Sequence, residues 1–267
     1  MNQKIRPLLE DVDFKVHLFV KDLKSDQFLI DDKLDEIFSS ASLIKIPILL
    51  GVLDYVQKNN LPLDYEIAID TENKVDFSVV TEQDLTSCTL YELLVWMIIT
   101  SDNSATNVLI DFLGMDELNK YFNQIGLLST KLQRKMMDFE RANRGFDNVT
   151  TARDMAHLYS RIYQQNLLSE QYSNLVIDIL CRQRVHEGLK RYIADDVRIA
   201  HKTGSLDTVC HDVGIVYLDQ SDYIIGVFLT EMSDVEAGKR LIGRISKMVY
   251  ENIGLPEGRS SIESNRK

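Results

Sequence analysis

The stretch FSSASLIKIPILL, residues 38–50, places small polar residues directly before a long apolar run. Serine is a favoured helix-capping residue, and the serines at positions 39–42 therefore mark a helix start. The apolar run continues to Val56, and Pro47 falls near the first turns, where proline is best tolerated. The pattern predicts an apolar helix that begins near Ser42.

Ser42 and Lys45 form an S-x-x-K pattern within this stretch. Residues i and i+3 share a helix face, which places the lysine amine beside the serine hydroxyl, and the helix N-terminus favours developing negative charge. A serine attacks only when a base takes its proton. A lysine serves as that base only when burial or a nearby cation lowers its pKa from about 10.4. The pair predicts nucleophilic catalysis, although SNRK at residues 264–267 repeats the pattern in a predicted tail.

Two polar triplets follow further along the chain. Ser101–Asn103, with the sequence SDN, comes just after the apolar segment LYELLVWMIIT, where a loop projects a hydroxyl and a carboxamide into a cleft. Lys202–Gly204, with the sequence KTG, ends a predicted strand and is followed by Ser205. Taken singly, the first triplet is an ordinary polar helix stop and the second an ordinary strand end with a turn glycine.

Together, in this order and at these long separations, S-x-x-K, S-D-N and K-T-G resemble the motif set of class A β-lactamases and penicillin-binding proteins. The similarity includes the segments FSSASLIKIPILL and TSDNSATNVLI and covers roughly Phe14–Ile253. It implies that Ser42 forms an acyl-enzyme and that Lys45 is its base or proton relay. It also implies that Ser101 passes a proton to the leaving nitrogen and that Asn103 binds the acylamide of the substrate.

The same resemblance assigns the far end of the cleft to a substrate carboxylate. Lys202, Thr203 and Ser205 would hold that group, and the backbone N–H groups of Ser42 and Ser205 would form the oxyanion hole. The implied partner is a small molecule, with a carboxylate as the expected handle. No cofactor or metal is expected, because the five histidines form no H-E-x-x-H pair and the chain has no phosphate-binding glycine motif.

Class A β-lactamases also carry a loop glutamate, with an asparagine four positions later, that activates the deacylating water. The corresponding segment here is MMDFERANRGFDNVTTARDM, in which Glu140 is the candidate base, but Asn143 follows after three positions and the loop is shortened. Asp138 is a second candidate. The alternative for either is a solvated carboxylate paired with Arg141 or Arg144. In that case the acyl-enzyme should accumulate.

Strand patterns occur at both ends of the chain. Phe14–Ile30 contains FKVHLFVKDL and QFLI around a polar turn and predicts a β-hairpin, and RIAHKTG, DVGIVYL and DYIIGVFLTEM after Val197 predict three strands. Capping patterns at Thr89-x-x-Glu92 and Thr151-x-x-Asp154 open two helices between them, with shorter helices at about residues 104–112 and 116–124. A final helix is predicted at Ser233-x-x-Glu236, followed by the tail GLPEGRSSIESNRK.

This order predicts an α+β fold with an antiparallel sheet formed from the N- and C-terminal segments and flanked by helices. We expect one catalytic domain over residues 1–267. Its sheet lobe should comprise about residues 10–40 and 195–255, and its helical lobe about residues 41–194.

Composition excludes several classes of protein. The formal net charge of -11 and a sequence pI near 5.0 argue against nucleic acid and anionic membranes as partners. No apolar run approaches the ~20 residues that span a bilayer. The start MNQKIRPLLEDVDF has no signal-like apolar region, so the sequence as written predicts a cytoplasmic protein, or a secreted one if a leader has been trimmed. The three separated cysteines are expected to be small buried hydrophobes.

The first functional hypothesis is a β-lactamase-like amide hydrolase. The alternatives are a penicillin-binding relative that acts on a D-alanyl peptide or a small ester, and a sensor that is acylated without turnover. The pattern of residues does not predict the oligomeric state.

Overall fold

The computed structural model describes residues 2–10 and 12–254. The α-helices are α1 (Asn2–Glu10), α2 (Lys45–Asn59), α3 (Val79–Glu82), α4 (Leu90–Ile99), α5 (Asn103–Leu113), α6 (Met115–Gln124), α7 (Phe139–Asn143), α8 (Ala152–Tyr163), α9 (Glu170–Cys181) and α10 (Val235–Ile253). The strands are β1 (Lys15–Asp22), β2 (Phe28–Asp32), β3 (Phe38–Ser39), β4 (Glu66–Ala68), β5 (Ser87–Thr89), β6 (Val149–Thr150), β7 (Ile199–Leu206), β8 (Val209–Val216) and β9 (Tyr223–Thr230). Short 3-10 helices lie at Ala41–Ile44 and Thr71–Asn73.

The main sheet has five antiparallel strands in the order β2-β1-β9-β8-β7. Strand β1 therefore pairs with both β2 and β9, so that the two ends of the chain share one sheet. The predicted hairpin, the three late strands and the α+β class are all confirmed. Strand β7, which carries the K-T-G triplet, is an edge strand, and the backbone groups of its alternate residues face away from β8.

Both faces of this sheet are covered. Strands β8 and β9 are buried at all eight positions, as expected for strands packed on two sides. Along β1 the side chains alternate: Leu18 and Val20 pack into the core beside α10, whereas Phe19 packs into the larger core beneath the helical segment. The sheet thus separates two hydrophobic cores.

The helix predicted from the opening stretch forms with an altered start. Residues 41–44 make one 3-10 turn, and the regular α2 begins at Lys45. The predicted serine cap is wrong, because Ser40 at the N-cap makes no side-chain cap hydrogen bond. Its Oγ bonds the carbonyl of Ala41, and Ser39 is instead bonded to Asp147.

Other predicted helix starts agree in part. Thr89 and Glu92 form the full capping box. Thr151 caps α8 through the N–H of Asp154, but the Asp154 carboxylate accepts from Ser129 N and Thr130 Oγ1, so that box is incomplete. The two shorter helices are confirmed as α5 and α6.

The N-cap of α10 is Asp234, so the prediction of Ser233 is wrong by one residue. The helix α1 was not predicted. The predicted tail after Gly254, with its second S-x-x-K copy, lies outside the described residues. Cys88 and Cys210 are buried as predicted, whereas Cys181 is half-buried. Within residues 2–10 and 12–254, no helix is both long and apolar enough to cross a membrane.

Candidate active site

Ser42 lies in the tight turn that precedes α2, directly against the edge strand β7. A Cβ added to Gly204 would come within 3.2 Å of the Ser40 carbonyl oxygen and 3.3 Å of Ala41 Cβ, so the triplet glycine permits this close approach. Ala41, immediately before Ser42, has φ of 44°, a conformation that non-glycine residues adopt rarely. The half-buried Ser42 side chain therefore sits on a constrained backbone that faces the cleft.

Lys45 points its amine into the middle of the site and is fully buried. Its Nζ lies 3.2 Å from Ser42 Oγ, 2.6 Å from the Ser101 carbonyl oxygen, 3.1 Å from Ser101 Oγ and 2.8 Å from Asn103 Oδ1. The first turn of α2 thus brings the predicted serine and lysine into contact. The SDN triplet supplies the remaining partners of the amine.

Burial holds the pKa of the Lys45 amine well below its usual value, because a desolvated ammonium is disfavoured. The charge of Lys202 lowers this pKa further, and that of Asp102 acts in the opposite direction. Asp102 is itself buried: it caps α5 through Ala105 N and accepts from Ser78 Oγ. A buried lysine in this setting carries a neutral amine more readily than one in water.

Ser101 connects the two lysines of the site. Its φ of 59° places a non-glycine residue in the left-handed region, and strain of this kind is common at functional sites. The conformation turns both the carbonyl and the hydroxyl of Ser101 toward Lys45. The same hydroxyl accepts from Lys202 Nζ at 3.0 Å.

Lys202 is fully buried on β7 and also donates to the carbonyl oxygen of Thr203 at 2.7 Å. Burial lowers the pKa of its amine to about 7, and Asp212 opposes that shift. Thr203 is half-buried, Ser205 is exposed, and both line the cleft beyond Lys202. The Lys202 amine, which gains or loses a proton near neutral pH, therefore lies next to the hydroxyl groups of Thr203 and Ser205.

The resemblance implies that Asn103 binds the acylamide of the substrate, and in the structure its carboxamide also contacts Lys45. Its Oδ1 accepts from Lys45 Nζ at 2.8 Å, and its Nδ2 contacts the carbonyl oxygen of Asp76 at 3.3 Å. The carboxamide thus holds the lysine amine, while the side chain still lines the cleft.

The cleft between the helices and β7 has a volume of about 520 Å³. Phe77, whose side chain is 78% exposed, and Phe139 lie among its lining residues. Most of the lining is apolar, and the polar groups gather around Ser42 and β7. This arrangement suits a small organic molecule with a few polar groups.

The loop between α6 and β6 forms one wall of the cleft with methionine rather than with a carboxylate. Met136 and Met137 line the cavity. Asn107, a buried residue of α5, fixes Met136 from both sides: Oδ1 accepts from its N–H at 2.7 Å, and Nδ2 donates to its carbonyl at 3.2 Å. Further along, Asn148 bonds the backbone of Arg134, whose guanidinium pairs with Asp147 at 2.7 Å. The path of the loop is therefore firmly set.

Glu140 is not brought to Ser42. It lies on α7 with 78% of its side chain exposed and forms an ion pair with Arg144. Asp138 caps the same short helix through Arg141 N, at 2.9 Å. The expected contact between Glu140 and the residues around Ser42 is thus not formed in this structure. The physical reason is that the loop turns Met136 and Met137 toward the cleft and the Glu140 side chain toward solvent.

Sequence reasoning missed Asn107, Asn148 and Met136. Asn107 lies four residues after Asn103 and so shares its helix face, which was an available signal. The other two carry no local signal, because long-range hydrogen bonds decide which loop residue meets the cleft.

Comparison with known proteins identifies the class. The family model described as "Beta-lactamase enzyme family" matches residues 1–253. The chain therefore belongs to the β-lactamase enzyme family, and it is a serine hydrolase related to class A.

Relatives of similar length support the assignment. A β-lactamase of Bacteroides uniformis is 27% identical over 94% of this chain and 90% of its own length. A class A β-lactamase structure from Bacteroides cellulosilyticus is 26% identical, covers 95% of this chain and 96% of its own, and has a TM-score of 0.88. The structure of PBP-A is 28% identical with a TM-score of 0.85 and 94% coverage of both chains. The predicted resemblance is confirmed.

Proposed function

We propose that this protein opens carboxylate-bearing β-lactams through an acyl-enzyme on Ser42 and releases the acyl group slowly. The observation that carries the proposal is the fully buried Lys45 amine held among Ser42, Ser101 and Asn103. Lys202, on strand β7 of the sheet, shares the Ser101 hydroxyl with Lys45, so the sheet and the helical segment act as one catalytic unit.

The partners of Lys45 orient its lone pair. A neutral amine has two N–H donors, and the Ser101 carbonyl and Asn103 Oδ1, at 2.6 and 2.8 Å, can only accept. These two oxygens take both donors and leave the lone pair for a hydroxyl proton. Ser42 Oγ, at 3.2 Å, is in place to give that proton as it attacks the lactam carbonyl.

The proton then has a short path to the leaving nitrogen. Ser101 Oγ lies 3.1 Å from Lys45 Nζ and 3.0 Å from Lys202 Nζ. Lys45 passes a proton to Ser101, which gives its own to the nitrogen as the amide bond breaks. The N–H groups of Ser42 and Ser205 stabilise the oxyanion, an effect worth about 3 to 4 kcal/mol for one donor.

The other end of the substrate binds at β7. The Lys202 ammonium, with the hydroxyls of Thr203 and Ser205 in front of it, suits a carboxylate. Oδ1 of Asn103 binds Lys45 and one N–H of Nδ2 is directed at the Asp76 carbonyl, so the second N–H of Nδ2 is the group available to the substrate.

Slow release of the acyl group follows from the loop wall. Among the described residues, the carboxylates that line the cleft are those of Asp207, in the turn between β7 and β8, and of Glu187, which pairs with Lys239. Glu140 faces solvent. A general base typically contributes about 10²- to 10⁴-fold to such a step. Without one at the methionine wall, the ester should persist.

Penicillin-binding behaviour is the second candidate, and the methionine wall favours it. One structure of a PBP-A mutant, 27% identical to this chain with a TM-score of 0.86, is an acyl-enzyme complex with penicillin G. A D-alanyl peptide or a small ester would then be the physiological substrate.

The test is whole-protein mass spectrometry after exposure to a penicillin. We expect an adduct of one penicillin in the wild type and none in Ser42→Ala, with both proteins folded by circular dichroism. An adduct at full stoichiometry in Ser42→Ala would move the nucleophile elsewhere. Release within seconds would favour an efficient β-lactamase over the slow acyl-enzyme.

A further inference from the structure

A buried acid and histidine lie on β7 and β8 behind the cleft. His201 is 1% exposed and Asp212 is fully buried, and His201 Nδ1 lies 2.9 Å from Asp212 Oδ1. Neighbouring residues of a strand point to opposite faces, so His201 faces away from Lys202 and from the Ser42 side of the sheet. Neither His201 nor Asp212 is among the residues that line the cleft.

The fold makes room for this pair on two sides. A Cβ at Gly214 would come within 2.5 Å of His201 Cβ, and one at Gly188 would overlap Oδ2 of Asp212. Two glycines are thus required where the chain passes the pair. Nε2 of His201 has no hydrogen-bond partner within the part of the chain that the structure describes, which adds a desolvation cost. A buried pair of this kind is by itself weak evidence of a stabilising role.

Asp212 connects two parts of the cleft. Its Oδ2 accepts from the backbone N–H of Leu189 at 2.8 Å, which holds the segment 185–189 against the sheet. Gly188 and its neighbours Glu187 and Val185 line the cleft. On β8, Asp212 is the register partner of Thr203, next to Lys202.

We infer that Asp212 and His201 are positioning residues for the carboxylate end of the cleft: they tie the Gly188 wall to β7 and supply the negative charge behind Lys202. This inference rests on the proposed function of the cleft. His201 orients the carboxylate by donating from Nδ1 to one oxygen, so that the other oxygen is free for the N–H of Leu189.

The charge of Asp212 also bears on Lys202 directly. It is the group that raises the Lys202 pKa against the effect of burial. From the helical side Lys202 meets Lys45, whose own pKa is lowered further by the charge of Lys202, so that Lys45 is the neutral member of the pair. Ser101 Oγ contacts both amines, and the His201 side chain lies on the opposite face of β7 from Lys202. Removal of the Asp212 charge therefore lowers the pKa of Lys202 and leaves less ammonium at neutral pH.

The experiment compares Asp212→Asn with wild type on two probes, a fluorescent penicillin that carries a carboxylate and an activated ester without one. We expect the acylation rate with the penicillin to fall severalfold at pH 8, where Lys202 with its pKa of about 7 is already mostly neutral, and less at pH 6. The rate with the neutral ester should stay within about twofold, because this substrate has no carboxylate for the Lys202 ammonium to bind. Equal losses on both probes, or no loss on either, would overturn the inference.

Two further variants separate positioning from folding. His201→Asn keeps a donor for Asp212 and should retain most of the discrimination between the probes, whereas His201→Leu should lose it. Asp154→Asn removes another buried carboxylate, one that holds Ser129 and Thr130 away from the cleft, and should lower the melting temperature without changing the ratio of rates. A changed ratio in Asp154→Asn, or no difference between the two His201 variants, would contradict the positioning role. If the wild type reacts with neither probe, the proposed function fails instead.

Discussion

Lys45 and Lys202, two fully buried lysines on different elements, share the hydroxyl of Ser101 at 3.1 and 3.0 Å. Two ammonium groups this close repel each other, and burial disfavours both. The site therefore works best with one neutral and one charged amine. Lys45, next to Ser42, is the neutral one, and Lys202 keeps the proton at and below neutral pH.

This division of charge predicts a pH profile that depends on the substrate. Acylation by a carboxylate-bearing penicillin should rise with pH as Lys45 loses its proton, then fall through about pH 7 as Lys202 loses its own. A neutral ester should show the rise without the fall at pH 7. The measurement is the second-order acylation rate between pH 5 and 9. A fall near pH 7 with both substrates would assign that step to another group.

Replacement of Lys202 by an apolar residue should raise the stability of the fold and impair the binding of carboxylate substrates. Because its pKa of about 7 lies below that of the unfolded chain, the ammonium destabilises the native state below pH 7, and this penalty fades as pH rises toward the unfolded value. Lys202→Met should therefore raise the melting temperature by several degrees at pH 6, with a smaller gain at pH 9. It should also abolish the preference for carboxylate substrates. A lower melting temperature at pH 6 would mean that the hydrogen bonds of Lys202 outweigh its desolvation.

Glu140→Gln should leave the lifetime of the acyl-enzyme within about twofold of wild type, far from the 10²- to 10⁴-fold effect of losing a general base. The reason is that the Glu140 side chain is 78% exposed and paired with Arg144. Adduct lifetime by mass spectrometry is the measurement, with Asp138→Asn as the matched control. A long-lived adduct in Glu140→Gln would restore its assignment as the base. A change in Asp138→Asn alone would transfer the role to Asp138.

Met136→Glu should shorten the adduct lifetime by about tenfold or more, within the range of general-base catalysis. Met136 lines the cleft, and Asn107 fixes its backbone at both the N–H and the carbonyl, so a new carboxylate would be held in place. Met136→Gln is the control of matched shape without a charge. Equal lifetimes in the two variants would show that the loop wall does not govern deacylation.

Much of the site follows from local sequence. The spacing of Ser42 and Lys45 places both on one turn, and the K-T-G triplet at a strand end brings Lys202 to the cleft edge, so the order of the motifs predicts the cluster. The strand patterns at the two ends likewise predict the shared sheet. In these cases the residues that decide the structure are close in sequence or belong to a regular period.

The loop after α6 could not be predicted in this way. Which of Met136 and Glu140 faces the cleft depends on hydrogen bonds from Asn107, 29 residues away, and from Asn148. The start of α10 illustrates a smaller limit, since Ser233 and Asp234 are both good caps and backbone geometry selects the second. The left-handed conformation of Ser101 likewise depends on the buried lysines it contacts.

Because β1 pairs with β9, the main sheet can close only after nearly the whole chain has been synthesised, and this timing affects the reactivity of Ser42. Register partners such as Phe19 and Gly226 lie more than 200 residues apart, a separation that a ribosome crosses in roughly 10 to 40 s at 5 to 20 residues per second. For most of that interval Ser42 has been made but Lys202 has not, and throughout it the sheet against which the Ser42 turn packs is incomplete. The nascent chain therefore carries an ordinary serine. The nucleophile becomes reactive only when the last strands close the sheet, so completion of the fold and the onset of acylation are one event.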